Sequence, residues 1–236
     1  MNYRIYRPYV SARSYMQRMH MNYHIIDTET SGLSKNAGVC EIAWLEVDKD
    51  LNIFSEFCTL VNPEVPIEEG AMRIHGITED DVHGKPTLAE VASCFSGPIQ
   101  QISHNAQFDY RMIKNHIQVE SQICTLKLAR EYIKHTTNHK LEVLQKELNL
   151  PVQDSHSALG DVHTCRDLLL YLRENYGVTL EAVAARLSIP KLLHTMPFGK
   201  HKGRVIANIA VDYREWLLTQ EIEADLRFTL EKLKGI

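Results

Sequence analysis

"HIIDTETSGL", residues 24–33, decides how this chain is read. Its apolar opening has the character of a buried strand, yet the strand ends on two carboxylates, Asp27 and Glu29, followed at once by Thr30, Ser31, Gly32 and Leu33. Acids are among the residues least often buried without a partner. The D-x-E alternation also sends both side chains to the same side of an extended chain, as two ligands of one metal pair would require.

On its C-terminal side, "VCEIAWLEV" and "NIFSEFCTLV" read as two further strands joined by the polar turn "DKDLN", an antiparallel meander. "PEVPIEEGAMRIHGIT" breaks the pattern with two prolines. "TEDDV" and "TLAEV" each set a Thr three residues before an acid, the spacing of a capping box at a helix start. "IQQISHNA" returns to strand, "QFDYRMIKNHI" opens a helix, "SQICT" is a short strand, and "TLKLAREYI" and "LEVLQKELN" are helical. In "SALGDVHTCRDLLLYLREN", Ala158, Leu159, Val162, Cys165, Leu169 and Leu172 form one apolar stripe bordered by Asp161. Strands first, then strands alternating with helices, indicate an α/β layer fold around a mixed sheet whose first three strands are antiparallel.

With 236 residues, 44% of them hydrophobic, the chain can bury one full core and a small second one. The expected organisation is a tail over 1–21, a main domain over 22–176 and a small basic and helical module over 177–236. Between Ala182 and Val211 there is no acid but five bases, among them Lys200, Lys202 and Arg204 in "PFGKHKGR". That element lacks the Walker A pattern. It suits either a phosphate grip with Phe198 stacking on a base or a turn with a solvated basic face. Trp216, Leu217, Leu226, Phe228, Leu230 and Leu233 are core candidates for the module.

The net charge of −4 conceals an asymmetry: Arg4, Arg7, Arg13 and Arg18 account for +4 in an acid-free leader, so the rest of the chain carries −8. A body this acidic does not bind nucleic acid through bulk charge, and any such binding is local or helped by cations. The leader reads either as a disordered tail upstream of a second "MNY" start or as an organelle transit peptide. No apolar run is long enough to span a bilayer. The five cysteines are odd in number and scattered, which fits core thiols in a reducing, cytoplasmic setting rather than a disulfide frame. His135 and His139 have the spacing of paired zinc ligands but lack a third ligand.

Asp109, at the start of a helix, and Asp161 join Asp27 and Glu29 as the acids that stand out. Singly, Asp109 has the plainer reading of a helix cap and Asp161 that of a solvated flank residue. Four carboxylates brought to one site would raise each other's pKa values unless cations neutralised them, and hard divalent ions such as Mg²⁺ or Mn²⁺ suit oxygen ligands.

"IIDTETSGL", "IHGIT", "SHNAQFD" and "HSALGD" occur in the order, and at about the distances, of the three exonuclease motifs of the DEDDh (DnaQ-like) superfamily, which this chain resembles. The short catalytic region followed by "FGKHKGR" is most similar to the exodeoxyribonuclease X branch. The resemblance implies a ribonuclease H-like fold and a 3′–5′ exonuclease using two metal ions. It assigns Asp27, Glu29, Asp109 and Asp161 as metal-binding acids and His156 as the general base, a role that imidazole fills near neutral pH. It further implies that Thr30, Gly32, Leu33, His75, Asn105 and Phe108 contact or support the terminal nucleotide, with Lys200, Lys202 and Arg204 as additional binding residues. The expected partner is nucleic acid, DNA 3′ ends in repair or recombination, with no membrane. An exoribonuclease of the ribonuclease T or oligoribonuclease type is the alternative, since no residue here is seen to read a 2′-hydroxyl. An inert nucleic-acid-binding protein is a third reading.

Overall fold

The computed structural model describes residues 23–151, 157–187, 190–220 and 222–235. The chain divides into two compact units, 1–184 and 185–236.

The first unit is built on five strands in the order β3-β2-β1-β4-β5: β1 Tyr23–Thr30, β2 Val39–Val47, β3 Ile53–Leu60, β4 Ile99–Ser103 and β5 Val119–Cys124. β1 pairs antiparallel with β2, and β2 with β3, while β4 pairs parallel with β1, and β5 with β4. The expected meander and mixed sheet are therefore present. β1 lies at the centre because its apolar residues serve both faces. Tyr23 and Ile25 join the core beneath the long helix, and Ile26 joins the opposite core with Trp44 and Phe57, whose rings stack at 4.0 Å. Asp27 and Glu29 continue the Tyr23–Ile25 alternation and so face the long-helix side.

Between β3 and β4 lie three short helices: α1 Glu69–His75, α2 Glu79–Val82 and α3 Leu88–Ala92. The capping boxes predicted at Thr78 and Thr87 are both formed, with each Thr hydroxyl accepting from the N3 backbone amide and the N3 acid accepting from the Thr amide. α1 is not anticipated by the sequence reading. It follows two prolines and buries none of its side chains, so it carries no apolar stripe to reveal it.

α4 Gln107–Ile113 leaves β4, and α5 Thr125–Tyr132 leaves β5 directly. α6 Leu141–Glu147 and α7 Ala158–Tyr176 cover one face of the sheet. α7 buries Ala158, Val162, Cys165, Leu169 and Leu172 as expected, together with Leu168, while Leu159 is half-buried. α8, Leu180–Leu187, follows. Among the cysteines, Cys40 and Cys165 are buried, but Cys94 is exposed, against the expectation of core thiols throughout. No helix among the described residues is long and apolar enough to cross a membrane.

In the second unit, 3₁₀ turns at Gly199–His201 and Ile206–Asn208 precede α9 Val211–Leu218 and α10 Ala224–Lys234. Its core is Met196, Ile206, Ile209, Leu217, Leu226 and Leu230. Three core candidates of the sequence reading lie outside it: Trp216 is 51% exposed, Leu233 is 42% exposed, and Phe228 is the third. Phe228 is half-buried, with the Lys232 ammonium 5.6 Å from its ring centre.

Candidate active site

The C-terminal end of β1 and the first turn of α7 build one acidic focus. Carboxylate oxygens of Asp27, Glu29 and Asp161 all lie within 4.8 Å of one another, and all three residues are half-buried. β1 places the first two by alternation. Asp161 follows from a helix start fixed by Ser157, whose hydroxyl accepts from the Gly160 amide.

Asp109 is not a member of that set of three but is bound next to it. It is buried, and one of its oxygens accepts from both the Thr28 amide at 3.1 Å and the Thr28 hydroxyl at 2.9 Å. The helix cap belongs instead to Ala106, so the capping alternative for Asp109 does not hold.

The electrostatics match this crowding. The Asp27 carboxyl is pushed well above the usual carboxylate range, first by burial and then by the charges of Asp109, Asp161, Glu29 and Glu41. Glu29 is raised to about 7 by burial, Asp161 and Glu41. Burial raises Asp109 to about 7 even though the hydrogen bonds from Thr28 favour its ionised form. An all-oxygen donor set held close against its own repulsion fits a hard divalent cation, since such an ion removes the cause of the elevation.

Two contributors escape the sequence reading. Thr28 links β1 to Asp109 across 81 positions, a contact that no local pattern encodes. Glu41 lies directly opposite Glu29 in the β1–β2 register and accepts from the Ala158 amide at the start of α7 at 2.8 Å. The signal for Glu41 was an acid inside an apolar strand, "VCEIAWLEV".

The turn after β1 is braced. The Thr30 hydroxyl donates to the Gly32 carbonyl, and the Ser31 carbonyl accepts from the Glu68 amide. A side chain at Gly32 would collide with the Glu68 carboxyl, so the close neighbour in this structure is that carboxyl. Leu33 is 79% exposed at the tip. His75 Nδ1 accepts from the Ile77 amide, which leaves the proton on Nε2 to donate to the Thr30 carbonyl at 3.2 Å. Burial lowers its pKa, and the neutral ring ties the end of α1 to the end of β1. Asn105 is exposed in the left-handed region (φ 75°) just before α4, and Phe108 is half-buried with the Arg111 guanidinium 5.5 Å from its ring centre.

His156, the expected general base, lies outside the described residues. Lys200, Lys202 and Arg204 belong to the second unit, where all three are exposed.

A family model described as "Exonuclease" matches residues 24–169, and the chain belongs to that family of nucleases, within the DEDDh superfamily. It is similar to exodeoxyribonuclease 10 of Escherichia coli K12, with 35% identity over 220 residues covering 88% of this chain and 96% of the relative. A solved structure of exonuclease X in complex with 5′ overhanging duplex DNA matches at a TM-score of 0.60 and 35% identity, over 69% of this chain and 98% of that one. E. coli exonuclease I in complex with a dT13 oligonucleotide matches at 0.59 and 17% identity, covering 72% and 44%, and shares the fold. The five-stranded mixed sheet is therefore ribonuclease H-like, as the motifs implied. A second model, described as "Putative quorum-sensing-regulated virulence factor", matches residues 188–222.

Proposed function

We propose that this exonuclease is a divalent-metal-dependent 3′–5′ exodeoxyribonuclease that releases nucleoside 5′-monophosphates from single strands and duplex 3′ ends, in DNA repair or recombination. The observation that carries the reading is the convergence of Asp27, Glu29 and Asp161 within 4.8 Å at the end of the central strand. The likeness to an exodeoxyribonuclease and to a nuclease solved with DNA supports DNA as the polymer.

Asp27, Glu29 and Asp161, with Asp109, would hold two Mg²⁺ or Mn²⁺ ions. Ions so bound supply acidification of an attacking water and charge stabilisation of the departing 3′-oxygen. The chain's own part is positional and acid–base. Thr28 fixes Asp109 through two hydrogen bonds, and Glu41 holds the helix start that carries Asp161. His156 would take the proton of the attacking water. The exposed Leu33 would wedge against the terminal base, with Gly32 and Thr30 lending backbone groups, while His75 holds the Thr30 carbonyl in place. Asn105 and Phe108 would line the sugar side.

Matched DNA and RNA oligomers of one sequence, digested with Mg²⁺ and with Mn²⁺, test the substrate assignment. DNA should be shortened faster in both metals; a preference for RNA would replace this reading with the exoribonuclease one. His156→Ala should lower kcat by about 10² to 10⁴ at neutral pH, and unchanged turnover would remove the general-base role.

A further inference from the structure

The second unit carries a surface that the metal-centre chemistry leaves unused. Its loop from Met196 to Arg204 is closed at the base, with the Met196 amide donating to the Arg204 carbonyl and the Gly203 amide to the Met196 carbonyl, both at 2.8 Å. Gly199 (φ 69°) and Gly203 (φ 81°) hold left-handed conformations that a side chain would strain, so the loop has a defined shape. That shape sets Lys200 over the Tyr213 ring of α9, 4.5 Å from its centre, and His201 edge-on to the same ring at 4.7 Å. Trp216, one turn along α9, lies 5.3 Å from Tyr213 and is 51% exposed; Phe198 in the loop is 41% exposed.

Two large aromatic rings left in water cost free energy of burial that a core would have recovered. The same loop carries Lys200, Lys202 and Arg204, all exposed, in a stretch of thirty residues without an acid on a chain that is acidic overall. Exposed rings interleaved with cations are the composition of a single-strand stacking platform, the rings taking bases and the cations phosphates.

We infer that the second unit binds single-stranded DNA through this face, with Phe198 and Trp216 stacking on bases and Lys200, Lys202 and Arg204 contacting phosphates. The inference rests on the exonuclease reading for the identity of the polymer, and adds a contact outside the carboxylate centre.

The test is fluorescence anisotropy of the full chain with labelled dT20 and rU20 in EDTA, where hydrolysis is prevented. Phe198→Ala with Trp216→Ala should weaken dT20 binding by about tenfold or more, with an unchanged thermal unfolding midpoint, and Phe198→Tyr with Trp216→Phe should restore it. Lys200→Ala, Lys202→Ala and Arg204→Ala together should reduce the salt dependence, log Kd against log salt, by about 2 for three lost single-strand phosphate contacts. Wild-type affinity in the alanine variants, a loss of binding that tracks a lowered midpoint, or tighter binding of rU20 would each overturn the inference. Parallel digestion in Mg²⁺ separates it from the catalytic reading. Variants that bind normally in a chain that degrades DNA sink the surface alone, whereas binding without any degradation sinks the metal-centre reading alone.

Discussion

Thr28 shows how much of the site rests on a residue with no acid or base of its own. Both its amide and its hydroxyl donate to Asp109, the buried acid beside the three-carboxylate focus. Thr28→Val keeps the β-branched shape and the amide bond but removes the hydroxyl donor. We expect a 10- to 100-fold loss of Mn²⁺ affinity by calorimetry, about the cost of losing a supporting hydrogen bond behind a metal ligand, with the fold intact by circular dichroism. Wild-type Mn²⁺ affinity would show that Asp109 needs only the amide. The acids themselves were legible, because D-x-E at a strand end is anomalous within one short segment. Thr28 was not, because the meaning of a threonine in a strand depends on a helix 81 residues away.

At the scale of elements, the junction of β2 with α7 decides where Asp161 stands. Glu41 and Glu29 are register partners, and like charges directly opposite on a sheet are unfavourable. The compensating contact is the Ala158 amide, at the positive end of a 19-residue helix. Glu41→Ala should therefore destabilise the protein by about 1–3 kcal/mol in urea unfolding, the range for stranding a buried donor. Glu41→Gln, which keeps an acceptor and relieves the repulsion, should lose much less. If both variants lose equally, the charge and not the acceptor holds the helix start. The strands and long helices were legible in the sequence since alternation and an apolar stripe are local patterns; β2 occupies the very residues read as "VCEIAWLEV". α1 was not, having no buried side chain to impose a period, and Trp216 was misplaced because an exposed aromatic is indistinguishable by sequence from a core one.

For the whole molecule, the crowded carboxylates predict an inverted pH profile in the absence of metal. Glu29, ordinarily near 4.5, is raised to about 7 in the fold, and Asp27 and Asp109 are raised with it. The folded state thus binds protons more tightly than the unfolded one across that window, and stability falls as pH rises from about 4.5 to about 7. His104 opposes this: its ring, between Thr125 and the His139 carbonyl, is lowered to about 4 by burial, so it withdraws stability as pH falls from about 6.5. His75 and His201 are lowered as well, but of the histidines only His104 moves as far as Asp27, Glu29 and Asp109 do, and in EDTA the unfolding midpoint should decline towards neutral pH. A divalent cation held at this site would bind the acids in their ionised form, so its stabilisation should be larger near about pH 8 than near about pH 5. Equal shifts at the two values, read by differential scanning fluorimetry, would mean that the cation acts elsewhere.

The proposed metal-dependent enzyme, working inward from a 3′ end, is identified by its action on a 5′-labelled DNA oligomer. In Mg²⁺ the label should remain on a ladder of products shortened one nucleotide at a time, and the ladder should vanish in EDTA and in Asp161→Asn. Release of the label as a mononucleotide, internal cuts, or a ladder that survives EDTA would contradict it.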